Sequence, residues 1–85
     1  MVTFNYVIKD ELGIHARPAG LLKKMADGLG SKVTLSCNGK SGDATRVMSV
    51  MMMAVKCGQE LTVSVEGATE AEDAEVVKKF FEENL

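Results

Sequence analysis

Hydropathy along this chain changes period from one segment to the next, and the order of those periods constrains the fold more than any other feature. Val2, Phe4, Tyr6 and Ile8 alternate with Thr3, Asn5 and other polar positions, the period-two pattern of a strand with one buried face. After the turn-prone Asp10-Glu11-Leu12-Gly13 the spacing becomes helical. Ala19, Leu22, Met25, Ala26 and Leu29 share one side, Lys23, Lys24 and Asp27 the other, and Gly28 and Gly30 provide a stop. Val33, Leu35 and Cys37 restore the alternation, and Asn38-Gly39 predicts a tight hairpin into a short polar strand, Lys40 to Asp43, suited to a sheet edge. A second helix is expected through Val47, Val50, Met51 and Ala54, capped by Thr45 or Asp43 and stopped by Gly58. Leu61, Val63 and Val65 form a fourth strand that Gly67 ends. Thr69 and Glu72 have the spacing of a capping box for a third helix, whose apolar side carries Val77, Phe80 and Phe81.

The resulting order, β-α-β-β-α-β-α, predicts an α+β open-faced β-sandwich: a four-stranded antiparallel sheet covered on one face by three helices. Eighty-five residues suffice for a single domain spanning 1–85 and leave no room for a large substrate cleft. Ten basic residues against twelve acidic ones argue against a general nucleic-acid binder. The bases nevertheless dominate from Arg17 to Lys56 while carboxylates crowd between Glu66 and Glu83, so a locally positive face for an anionic ligand or partner is expected. Cys37 and Cys57 fit neither a disulfide framework nor a zinc spacing, and the lone histidine cannot complete a metal cluster; free thiols and no cofactor are expected. No run approaches the length that spans a bilayer, and the first residues lack a leader pattern, so the expected location is the cytoplasm.

The chemistry concentrates at Gly13-Ile14-His15-Ala16-Arg17-Pro18, where the first strand hands over to the first helix. Pro18 fits a first helical turn because its missing N–H has no intrahelical partner there. His15 then falls at or beside the N-cap, next to unpaired backbone N–H groups at the positive end of the helix dipole, a geometry that holds an anion. Ala16, Arg17 and Pro18 are the expected phosphate-binding segment, and Arg17 adds a planar fork of donors for phosphate oxygens. By chemistry alone a histidine near a helix start is more often a solvated cap than a reactive group. The chain has no Walker-type loop, so a phosphoryl group must come from a separate donor protein.

Gly-Ile-His-Ala-Arg-Pro-Ala at 13–19 resembles the active-site signature of the HPr family of phosphocarriers. Asn38-Gly39-Lys40, the methionine-rich segment near 47–53, the length and the element order are similar to that family too, so the resemblance covers essentially the whole chain. It implies that His15 is phosphorylated on a ring nitrogen by Enzyme I, charged from phosphoenolpyruvate, and that the group passes to Enzyme IIA domains for sugar uptake. His15 and Arg17 are then the catalytic pair of a carrier that is not itself an enzyme, is monomeric, and serves several partners in turn, transcriptional regulators among them.

Arg46-Val47-Met48-Ser49-Val50-Met51-Met52-Met53-Ala54-Val55 is more apolar than one face of a short helix can bury. Val50 and Met53 are core candidates. Met48, Met51 and Met52 share helical spacing and, with Val47 and Gly20, form the expected partner interface. Many HPr-like proteins carry a regulatory serine at the start of this helix, and the corresponding residue here is Arg46, which cannot accept that phosphate. The nearby hydroxyls Ser41, Thr45 and Ser49 are not assigned that role. Two other readings compete: a paralogue in a nitrogen-related or dihydroxyacetone-kinase phosphorelay, and a regulatory adaptor that transfers nothing.

Overall fold

The computed structural model describes residues 1–85. Its elements are β1 (Val2–Val7), α1 (Ala16–Asp27), β2 (Lys32–Cys37), β3 (Lys40–Asp43), α2 (Val47–Met52), β4 (Glu60–Glu66) and α3 (Glu70–Asn84). The expected element order holds throughout. The strands form one antiparallel sheet in the order β1-β4-β2-β3, with β4 inserted between β1 and β2. Register puts Phe4 opposite Val63 and Leu35 opposite Val63, so the apolar alternates of three strands fall on one face.

That face carries Ile8, Val33, Leu35, Leu61, Val63 and Val65, all at most 1% exposed. Ala19, Leu22 and Ala26 of α1, Val50 of α2, and Ala74, Val77 and Phe81 of α3 cover it in one contiguous core. Tyr6 lies against Phe81 with ring centroids 5.5 Å apart, a tilted pairing that ties edge strand β1 to α3. The opposite face bears Thr3, Asn5, Thr34, Ser36, Thr62 and Ser64, with the Thr62 hydroxyl donating to Asn5 Oδ1 at 3.0 Å. Asn38 and Gly39 both take positive φ, 52° and 77°, the conformation of the type I′ turn that matches the strands' own twist.

Three local expectations are corrected. The N-cap of α2 is Arg46; Asp43 Oδ1 instead accepts the Thr45 N–H at 2.9 Å and the Thr45 hydroxyl at 2.6 Å, so both side chains are spent on the turn before the helix. Helix α2 also stops at Met52, because Ala54 adopts a left-handed φ of 52° well before Gly58. The Thr69–Glu72 capping box does not form: the Thr69 hydroxyl donates to Asp73 Oδ2 at 2.8 Å, and Ser31 Oγ donates to the same oxygen at 2.6 Å. A smaller shift is that Leu29 lies beyond α1, whose last residue is Asp27 and whose C-cap is Gly28.

Asp73 is the one buried carboxylate, and these hydroxyls, with the backbone N–H groups of Gly30 and Ser31, hold its pKa below the ordinary aspartate value. A depressed folded-state pKa means that Asp73 contributes stability above the unfolded value, about 3.9, and loses it as pH falls through the folded value. Thermal melts should therefore be insensitive to this group near neutrality and fall only in the acid range. Asp73→Asn should melt lower than the parent at pH 7, with the difference shrinking toward pH 3; a constant difference at all pH values would contradict the role.

Candidate functional site

Strand β1 leads through Ile8 into a loop stapled at both ends. The N–H groups of Lys9 and Asp10 donate to the Leu85 carbonyl oxygen at 2.6 and 2.8 Å, tying the loop to the end of α3. Asp10 then turns the chain: its Oδ1 accepts the Leu12 N–H at 2.9 Å and its carbonyl the Gly13 N–H at 2.9 Å. Ile14 is buried, and its N–H donates to the Val55 carbonyl at 3.0 Å, in the loop that leaves α2. Gly13, at φ +67°, lies so close to that loop that a Cβ there would stand 2.2 Å from Val55 O and 2.8 Å from Lys56 Cα. Only glycine meets both demands.

This bracing delivers His15 as the N-cap of α1, with extended backbone angles (φ −107°, ψ −173°) and its carbonyl accepting the Ala19 N–H at 3.0 Å. The half-buried imidazole makes no hydrogen bond to the protein, so its ring nitrogens are uncommitted. The backbone N–H groups of Ala16 and Arg17 are likewise unpaired, as the first groups of a helix must be unless a cap intervenes. Pro18 is buried and has no N–H to offer, so of the three expected phosphate-binding residues it can serve only by fixing the first turn. No acidic residue occupies that turn, so no side chain within it offsets the positive end of the twelve-residue helix.

The Arg17 side chain is exposed and lines a shallow hollow with Asp10, Pro18, Leu21, Glu83 and Asn84. It is engaged in no ion pair. The guanidinium therefore lies one helical position from Ala16 and two from His15, free to reorient toward an oxygen-rich group at the helix end.

Helix α2 packs against α1 and sorts its apolar residues by phase. Val50 and Met53 are core, at 0% and 5% exposure; Met48 and Met52 are 69% and 73% exposed, Met51 37%, and Val47 is half-buried. Gly20 is exposed, and a Cβ there would touch nothing, so no packing within this chain requires glycine. Leu21, 41% exposed beside Arg17, adds an apolar residue that the sequence reading passed over. Its signal was present: a leucine out of phase with the Ala19-Leu22-Ala26 stripe.

A family model described as the PTS HPr component phosphorylation site matches residues 2–83. The Phosphocarrier protein HPr of Mycoplasma capricolum is 37% identical over 79 residues, covering 93% of this chain and 89% of that protein. A solved structure of a mycoplasma histidine-containing phosphocarrier protein superposes with a TM-score of 0.89 at 35% identity, over 93% of this chain and 90% of the other. The catabolite-repression protein Crh of Bacillus subtilis, solved as a swapped dimer, gives a TM-score of 0.77 at 32% identity, over 100% and 98% of the two chains.

Proposed function

This chain belongs to the HPr family of phosphotransferase-system phosphocarriers, and on that premise we propose that His15 is the residue that carries the phosphoryl group, with Arg17 as its partner. The observation that carries the reading is the free imidazole at the N-cap of α1, flanked by the unpaired N–H groups of Ala16 and Arg17. A ring nitrogen of His15 attacks the phosphorus of a phosphorylated donor; the new N–P bond forms as the donor's bond to phosphorus breaks. The two N–H groups, the helix dipole and the Arg17 guanidinium bind the non-bridging oxygens. The same steps in reverse order deliver the group to an acceptor.

The donor in this reading is Enzyme I and the acceptors are Enzyme IIA domains, in a cytoplasmic relay that this monomeric, single-domain chain serves without a cofactor and without turning over a substrate of its own. Mixing Enzyme I, phosphoenolpyruvate and a glucose-type IIA domain tests it: label reaches the IIA domain only when this chain is added. Transfer that is equally fast without the chain would overturn the reading.

Partners dock on the exposed surface formed by Met48, Met51 and Met52 with Val47, Gly20 and Leu21. Flexible thioether side chains suit a surface that must fit several partners in turn. Met48→Glu should weaken Enzyme I binding at least tenfold in titration calorimetry while leaving the melting temperature within a few degrees, because surface changes usually alter stability by about 0.5 kcal/mol or less. Met53→Glu should do the opposite and unfold the protein, since it places a carboxylate in the core. Unfolding by Met48→Glu would remove that residue from the interface.

A further inference from the structure

Strand β3 is an edge strand: it pairs with β2 and with no other strand. The Ala44 N–H donates inward to the Val33 carbonyl at 3.0 Å, so by alternation Lys40 and Gly42 also face β2, while the main-chain groups of Ser41 and Asp43 face away from the sheet. The Asp43 carbonyl accepts the Arg46 N–H; the Ser41 N–H, the Ser41 carbonyl and the Asp43 N–H are left without protein partners. Three main-chain groups thus stand ready along an open edge.

Beside them a hollow opens between β3 and α2, lined by Lys40, Ser41, Ser49, Met52 and Met53. At Gly42 the strand approaches α2 closely, since a Cβ there would lie 3.0 Å from both Ser49 Oγ and Met53 Sδ. The cations around this edge are unpaired. Lys40 begins the strand, Arg46 follows its end, and neither makes an ion pair. The one carboxylate nearby, Asp43, is occupied by the N–H and hydroxyl of Thr45 and lies within electrostatic range of Lys32 as well as Arg46. A cation thus stands at each end of the strand, with the Asp43 carboxylate beside the Arg46 one, and the side groove between them mixes the methionines Met52 and Met53 with the polar Lys40, Ser41 and Ser49.

We infer that the outer edge of β3 and the adjoining hollow form a docking site for an extended acidic segment of a partner protein, which adds as a fifth strand. Alternate residues of a strand share a face, so a segment with carboxylates four positions apart and an apolar residue midway presents all three to the helix side. The apolar residue enters the hollow against Met52 and Met53, and the carboxylates meet Lys40 and Arg46. The site uses neither His15 nor Arg17, so it stands or falls independently of the phosphoryl reading.

The probe is a blocked heptapeptide, Thr-Glu-Thr-Leu-Thr-Glu-Thr, titrated into 15N-labelled protein. Saturable amide shifts are expected at residues 40–43 and 49–53, with none at 13–19. Ser41→Pro removes the central outward N–H at a position where an edge strand tolerates proline, and should weaken binding at least tenfold with an unchanged melting temperature. Lys40→Glu should weaken it similarly, and replacing both glutamates of the peptide by lysine should abolish it. The inference is overturned by the absence of saturable shifts at millimolar peptide, by shifts centred on another surface, by equal binding of the lysine peptide, or by sedimentation showing that a second copy of the chain covers this edge.

Discussion

Gly13→Ala is expected to destabilise the protein by about 2–5 kcal/mol and to lower its melting temperature by about 10 °C or more. Two independent terms add. Holding a residue with a Cβ at φ +67° costs roughly 1–2 kcal/mol. The new methyl group would also stand 2.2 Å from the Val55 carbonyl oxygen, a backbone atom that cannot swing away, and overpacking of this kind costs about 1–3 kcal/mol. For a domain of this size each kcal/mol moves the midpoint by about 4–8 °C. The damage should also reach function, because relieving the clash pulls apart the Ile14–Val55 hydrogen bond that sets the start of α1. Calorimetry on the variant checks the first effect and a phosphoryl-transfer assay the second. A melting temperature within 2 or 3 °C of the parent, on the scale just given, would mean that the loop leaving α2 yields freely and does not brace His15.

The second large effect concerns Arg17. Its side chain is exposed and unpaired, so Arg17→Ala should leave the melting temperature almost unchanged. Transfer from Enzyme I should nevertheless slow by about 100-fold, no more than the lower end of what removing a preorganised donor costs, because Arg17 is open to solvent and must be ordered by the phosphoryl group it binds. Arg17→Lys should recover part of the rate through its charge without restoring the planar fork. Transfer at the parental rate by the alanine variant would assign the anion site to the helix terminus alone.

Most of the architecture was legible because it is written in short-range periodicity. The alternation in Val33-Leu35-Cys37 and Leu61-Val63-Val65 marks strands whatever lies next to them, and Asn38-Gly39 encodes its turn through φ preferences alone. The sorting of the methionines was legible for the same reason: helical phase puts Met48, Met51 and Met52 together, and Val50 with Met53 on the core side.

What could not be read depends on residues distant in sequence or on competition between local options. The need for glycine at 13 arises from Val55 and Lys56, which belong to another loop. Thr69 has the right spacing to cap α3 with Glu72, yet its hydroxyl bonds to Asp73, an acceptor that burial and Ser31 make the stronger competitor. The end of α2 was misplaced because Ala54 adopts a conformation in which glycine or asparagine is the usual signal. At the candidate site, the motif nominates His15, Ala16 and Arg17 by their order along the chain, whereas the bracing of the loop before them comes from Val55, Lys56 and Leu85 and required the fold.

Whether His15 is the phosphoryl acceptor is decided by intact mass spectrometry. The protein is incubated with Enzyme I and phosphoenolpyruvate and measured at neutral pH, before and after brief acidification, beside His15→Ala. The parent should gain the mass of one phosphoryl group and lose it in acid, as a phosphohistidine does, while the alanine variant stays unmodified. An unmodified parent in the presence of active Enzyme I, or a His15→Ala protein that still takes up the group, would contradict the account.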